Sequence, residues 1–229
     1  MDIVSKYIIY FMIYSFIGWI MEVFCKYITE KKFVNRGFLL GPICPIYGCG
    51  VTLIILLIRT NQSDIISVFL KSILICSALE YFTSLIMEKI FKARWWDYSE
   101  RKFNINGRIC LETMLPFGIL GTAVLCFIHP HVINLVKYFT SSTRIIIAII
   151  LLIVFIIDNI ISFNVMSKIK VQISKEKGDN TTAVKNKISE WLENNTYWYR
   201  RIINAFPKFE IMSKVKKIKD AITSKTKRD

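Results

Sequence analysis

Four carboxylates and one amine, Glu22, Glu80, Glu112, Asp158 and Lys71, sit inside stretches of the 229-residue sequence that are otherwise apolar. A charge in hydrocarbon is costly, so such groups face a bundle interior or a water-filled cavity and mark binding or transport sites. With a rise of about 1.5 Å per residue, Glu22 and Glu112 lie about 5–7 Å from the inner ends of their helices, Asp158 about 12 Å and Glu80 about 16 Å. All four acids therefore fall in the same half of the bilayer, and Lys71 alone in the other, where it snorkels outward. Four acids without cations would repel one another. Arg36, Arg94 and Arg108, in the adjoining connections, supply the missing charge. This arrangement predicts a polar cavity with carboxylate–arginine pairs at its mouth. Depth alone also allows Glu22 and Glu112 to be ordinary interfacial residues, whereas Glu80 reaches water only through a cavity.

The elements that position these groups are apolar blocks at 3–27, 38–58, 65–91, 109–128 and 144–166. Each is close to the roughly 20 residues that cross a bilayer. The expected fold is an all-α integral membrane domain over 1–166 with about five transmembrane helices, followed by a basic tail over 167–229. The second and fourth blocks contain Gly and Pro, which membrane helices tolerate where neighbours satisfy the freed backbone groups. The N-terminal block is too long for a cleaved leader and reads as a retained helix. Lys26, Lys31, Lys32, Arg36, Lys89, Lys92, Arg94, Arg101, Lys102 and Arg108 fall in one set of connections; the other holds Lys6, Arg59, Lys137 and Arg144. The excess of positive charge places the first set and the tail in the cytoplasm, the N-terminus outside and the C-terminus inside.

The chain is 53% hydrophobic with a formal charge of +14, and its charge lies outside the apolar blocks, which favours an anionic membrane surface over nucleic acid as partner. No nucleic-acid-binding motif accompanies it. The tail holds sixteen basic and seven acidic residues. Ile188, Trp191, Leu192, Tyr199, Ile202 and Phe206 approximate one helical face, and Ile211, Val215, Ile218 and Ile222 another, with Pro207 between them. Basic amphipathic helices of this kind lie on anionic lipids; a solvated tail that binds a partner, or one without stable structure, is the alternative. The six cysteines form no C-x-x-C pair and read as small apolar residues. His129 and His131 flank Pro130 in an expected outer loop, so no metal and no cofactor is expected.

The connection Ala93-Arg94-Trp95-Trp96-Asp97-Tyr98, followed by Asn104, Asn106, Gly107 and Arg108, is dense in aromatic and polar groups. An interfacial aromatic belt accounts for the rings. A belt combined with a binding site accounts also for Asp97, Asn106 and Arg108 beside them. Lys32-Phe33 and Lys102-Phe103, then Pro45-Ile46-Tyr47-Gly48 and Pro116-Phe117-Gly118, suggest a short parallel repeat of 3–58 on 65–128. Each half would be a helix, an inner loop and a helix broken by proline.

Asn35-Arg36-Gly37-Phe38-Leu39-Leu40-Gly41-Pro42 with Cys44-Pro45-Ile46-Tyr47-Gly48, and Leu79-Glu80-Tyr81, Met87-Glu88-Lys89, Ala93 to Tyr98 and Asn106-Gly107-Arg108-Ile109-Cys110-Leu111, together form a set of blocks. With Gly18-Trp19 and Glu22 ahead of them, they resemble the bacterial membrane family described as "Putative ABC-transporter type IV". The resemblance runs over roughly residues 7–130. It implies a permease-type protein of the bacterial cell membrane. No substrate comes with the resemblance. The sequence has no G-x-x-x-x-G-K-[ST] motif, so ABC activity would need a separate ATPase subunit docked on a cytoplasmic loop. Five spans make a small transport path, so a homodimer is also expected.

Residues and resemblance together give a candidate substrate-binding set. From the first hairpin come Glu22, Asn35, Arg36 and Tyr47; from the third block and its connection Glu80, Glu88, Arg94, Trp95, Asp97 and Tyr98; and then Asn106, Arg108, Glu112 and Asp158. The leading expectation is a transporter-like subunit that binds an anionic or zwitterionic solute from the cytoplasmic side. One rival is a membrane-embedded enzyme acting on a lipid-linked or isoprenoid substrate, with Glu80 or Asp97 as general acid or base and Trp95 or Trp96 stacking on the substrate. The other is an assembly partner with no site. No Ser/His/Asp set, H-E-x-x-H or D-D-x-x-D supports catalysis.

Overall fold

Long apolar runs in this chain become long helices. The computed structural model describes residues 1–58, 64–91, 93–175 and 210–211. Helix α1 (Asp2–Glu30) ends on Lys31 in the left-handed conformation, whose amide donates to the Tyr27 carbonyl at 2.9 Å. Then come α2 (Pro45–Leu57), α3 (Ile65–Phe91), α4 (Leu111–Ala123), a π-helical turn Val124–Ile128, α5 (His129–Tyr138) and α6 (Ser141–Lys175). Four helical stretches are long and apolar enough to cross a membrane: Asp2–Thr29, Ile65–Phe91, Leu111–Tyr138 and Ser141–Lys168. Helix α1 packs on α2 and α6, and α3 packs on α4.

The second apolar block departs from the expected span. Only its outer part is helical: α2 has 13 residues, and residues 31–44 form no helix. The chain leaves α1 at Lys31 and runs back into the bundle, where Leu39, Ile43 and Cys44 are buried and the Cys44 amide donates to the Ser15 carbonyl of α1 at 3.0 Å. Ser15 is midway along α1, so α2 begins near mid-bundle. Pro45 favours that start, because its fixed φ and missing N–H suit a first helical position.

Non-helical backbone at membrane depth persists only where protein groups satisfy it. Here Asp158 of α6 does so. Its two carboxylate oxygens accept from the amides of Leu40 and Gly41, each at 2.9 Å, and the Ser162 hydroxyl lies 3.1 Å from both Asp158 Oδ1 and the Leu40 amide. Asn35 closes the loop by donating to the Leu40 carbonyl at 3.3 Å while accepting from the Trp19 indole at 2.7 Å. A Cβ on Gly41 would lie 2.7 Å from Asp158 Oδ2, so only glycine admits the carboxylate.

The fourth span also runs on past its expected end. His129, expected in an outer loop, is buried in a helix continuing to Tyr138; its Nδ1 is 3.0 Å from the Tyr14 hydroxyl, and Tyr10 packs edge-on at 5.0 Å. The widened turn Val124–Ile128 lies where the Pro130 ring excludes the ordinary bond to the Cys126 carbonyl. At this outer end Asp2 accepts from Lys6 at 2.7 Å and Arg144 at 2.6 Å, tying the start of α1 to that of α6. At the opposite end, the inner one in the orientation expected from the charge distribution, Phe38, Phe91, Trp95 and Phe163 form an aromatic cluster against Met166. Two short antiparallel pairings join the inner connection: β2 (Asn104–Ile105) with β3 (Ile109–Cys110), and β1 (Ala93–Arg94) with β4 (Glu210–Ile211). The tail face expected from Ile188 to Phe206 lies outside the described residues, as does the second beyond Ile211, which itself is in β4.

Asp158→Ala should leave the half-buried Gly41 amide without an acceptor and the Leu40 amide on Ser162 alone, and cost about 1–3 kcal/mol. Asp158→Asn, which keeps one acceptor oxygen, should cost less. Thermal unfolding of the detergent-solubilised protein reads both, and an unchanged midpoint in Asp158→Ala would rule out the clasp.

Candidate functional site

The return of residues 31–44 to mid-bundle leaves the inner half of the α2 position without a helix, and a cavity of about 750 Å³ is found there. Helix α1 contributes Gly18 and Glu22 to its wall, the returning segment Arg36 and Phe38, α2 Tyr47, α3 Glu80 and Thr83, and the inner connection Trp95, Trp96 and Tyr98. Phe117 and Leu120 of α4 and Asn159 and Phe163 of α6 complete it.

Three side chains from separate elements converge on its first polar group. The Tyr47 hydroxyl donates to Glu22 Oε1 at 2.6 Å, and Arg36 Nε lies 3.4 Å from Glu22 Oε2. Gly18 makes this contact geometrically feasible, because any Cβ there would collide with the Tyr47 ring. The Glu22 and Arg36 side chains are 32% and 26% exposed, so the pair is partly open.

The second polar group is Glu80, 6% exposed and turned into the bundle. Tyr98 donates to its Oε1 at 3.3 Å and Thr113 to its Oε2 at 3.5 Å. Thr113 is held by the start of α4, where Cys110 is the N-cap and donates its amide to the Thr113 hydroxyl at 3.4 Å. Burial, and then the neighbouring Glu80 carboxylate, push the Tyr98 phenol above its ordinary pKa. Tyr98 therefore remains a protonated donor throughout the physiological range.

Arg94 and Arg108, expected at the cavity mouth, are engaged elsewhere. Glu88 Oε2 takes Arg108 Nη1 at 2.6 Å and Arg94 Nε at 3.3 Å, and Arg94 Nη1 continues to Asp97 Oδ1 at 3.4 Å. The Glu88 and Arg108 side chains are only 12% and 13% exposed. Arg108 also donates to Ser84 at 3.2 Å and lies over the Tyr81 ring, while Trp96 donates to the Arg108 carbonyl at 3.0 Å. Partial burial pushes the Asp97 carboxyl up, but the Ser99 hydroxyl and amide and the Arg94 guanidinium outweigh it and hold it below the usual carboxylate range. The cluster carries two acids and two guanidinia. It locks the inner connection onto α3.

Other expected site residues are placed apart from the cavity. Glu112 is on the surface, paired with exposed Arg101 at 2.9 Å. Asp158 and Asn35 serve the backbone of the returning segment, and exposed Asn106 donates to the Tyr81 hydroxyl at 2.9 Å. Lys71 is exposed on α3. The cavity gains residues that sequence reasoning missed, namely Thr83 and Asn159, with Thr113 behind Glu80. For Asn159 the signal was present as a polar pair with Asp158 inside the Ile/Leu/Val run; Thr83 and Thr113 carry none. Among the described residues, no group of three or more His, Cys, Asp or Glu could hold a metal.

Residues 9–163 match the family described as "Putative ABC-transporter type IV", and the chain belongs to it. With its long apolar helices, this makes it a multi-pass membrane protein of ABC-transporter-related type. Neither a curated protein nor a solved structure matches the chain.

Removing one partner of a buried ion cluster strands the others, at roughly 3–5 kcal/mol, whereas an exposed pair contributes under about 1 kcal/mol. Glu88→Gln should therefore destabilise the protein several times more than Glu112→Gln in denaturant unfolding. Equal losses would show that the Glu88 cluster is not a closed unit.

Proposed function

We propose that the chain is a permease-type membrane subunit that binds a zwitterionic solute in this cavity, which opens toward the cytoplasm. The observation that carries the reading is the Glu22–Arg36 pair with Tyr47 on the cavity wall. Its loose 3.4 Å contact and partial exposure contrast with the 2.6 Å, nearly enclosed Glu88–Arg108 contact. A ligand carrying both signs can insert here, its anionic group on the guanidinium and its donor group on the carboxylate. Among the described lining residues Glu22 and Glu80 are acids and Arg36 is the guanidinium. That balance disfavours a purely anionic solute and narrows the expectation drawn from the sequence.

The inner connections and the tail carry the excess of Lys and Arg, which supports a cytoplasmic position for this end of the bundle and an anionic inner leaflet as its lipid partner. Transport driven by ATP would require a separate ATPase subunit. Pairing of two copies would complete a path larger than one bundle provides.

Water access from the cytoplasm is the testable core. Thr83→Cys, in a chain whose six native cysteines are replaced, should react with a membrane-impermeant thiol reagent in inside-out vesicles. It should react at least about ten-fold faster than Ile149→Cys on the exposed face of α6, because only a hydrated thiol ionises readily. Equal rates at the two sites, or labelling of Thr83→Cys from the outer side alone, would overturn the reading.

A further inference from the structure

The cavity gathers its charged groups toward one end, with Glu80 behind Tyr98 and Thr83 and Asn159 also on the wall, and is mostly apolar along the rest. Glu22, Arg36, Tyr47 and Tyr98 gather at the inner end, with Trp95 and Trp96 beside them at a level suited to lipid headgroups. Outward from there the wall is Ile17 and Ile54 with Leu120, Val124 and Ile128, and on the α4 side it extends from Phe117 to Ile128, about 16 Å at helical rise. At the outer tip the Tyr14 hydroxyl is taken up by His129. A small water-soluble zwitterion needs no such apolar extension.

The wall also reaches the exterior. Ile20, Phe24, Leu120 and Ile128 line the cavity and are themselves 46%, 61%, 38% and 39% exposed, on helices whose outer faces meet lipid. The gap follows from the fold, since α2 starts only beside Ser15 and leaves the inner half of α1 without a helical neighbour on that flank. The 750 Å³ lies within the about 300–1,000 Å³ of small-molecule pockets and accommodates one headgroup with one chain.

We infer that the solute is a single-chain amphiphile with a zwitterionic headgroup, entering sideways from the inner leaflet. The inference rests on the cavity reading given above and names the substrate class within it. Its head takes the Glu22–Arg36 pair and its chain lies along the α4 wall. Lipid tails are as apolar as that wall, so the chain gains little by moving from bilayer to cavity, and selectivity resides in the head. The bilayer's part is to concentrate the ligand at the opening.

A lysophosphocholine with a diazirine near the end of its chain is the probe, added to vesicles containing the full chain. Photolysis should place adducts on residues 117–128 and Ile17 in excess over the exposed α6 positions Ile149 and Ile153. Arg36→Gln should lower the cavity adducts about ten-fold, the effect of losing one charge-assisted contact, and leave the α6 adducts unchanged. Leu120→Trp, at a partly exposed position that tolerates bulk, should block the chain site without touching the head. Uniform adducts insensitive to both variants would overturn the amphiphile. If water-soluble glycerophosphocholine protects Thr83→Cys from the thiol reagent while the lipid probe labels uniformly, the amphiphile fails and solute binding stands. If neither probe engages the cavity, both readings fail together.

Discussion

One carboxylate holds the inner architecture in place. Asp158 lies within the apolar run of α6, yet its two oxygens meet two backbone amides of a segment that has no helix to satisfy them. In lipid an unsatisfied amide costs several kcal/mol, so residues 31–44 can re-enter the bundle only if such an acceptor awaits them. Gly41 lets the carboxylate close in, and Ser162 and Asn35 complete the loop. From this clasp follow the start of α2 beside Ser15, the seat of Tyr47 against Gly18, and the approach of Arg36 to Glu22. The expected solute ligand Asp158 thus acts on the cavity by building its floor.

The ionic groups differ in which of them face the cavity: Glu22 and Arg36 line it, and the Glu88–Arg108 contact does not. Glu88 and Arg108 are nearly enclosed, and Arg94 and the exposed Asp97 extend them into a neutral cluster, with hydrogen bonds to Ser84 and Ser99 adding to the charge contacts. Desolvating such charges is tolerable only when the geometry is this complete, and once complete the cluster has little free capacity for a ligand. Glu22 and Arg36 are looser and wetter. Both line the cavity, where Tyr47 also meets Glu22.

Much of this was legible beforehand. The length of the apolar blocks marks α1, α3 and α6 directly, and Glu80 is buried within the bundle. Residues 38–58 were misread because an apolar run looks alike whether it is a spanning helix or an extended segment packed in protein. Pro42 and Pro45 were the local hints, and only α6, more than a hundred residues away, decides between them. Pairings were the other blind spot. Arg94 and Arg108 lie close in sequence to Glu88 and Asp97, and net charge across a whole half-bilayer cannot show that they satisfy these acids before reaching a cavity. Glu112 was placed by depth alone, yet it stands in the first turn of α4, where a helix N-terminus and Arg101 both accept a solvated carboxylate.

The two hairpins differ at the point where the cavity arises. Both second helices open on a buried cysteine N-cap, Cys44 and Cys110. Helix α4 begins at the inner end, directly after the β2–β3 turn, and runs through Pro116; α2 begins at Pro45, half a bundle deeper. A chain with two hairpins of the α3–α4 kind would fill its inner half with helix and leave no hollow beside Glu22. Shortening one helix, with the freed backbone transferred to Asp158, turns the same material into a pocket whose polar end lies near the connections after α1 and α3. The polar gradient of the cavity is then a consequence of where one helix starts.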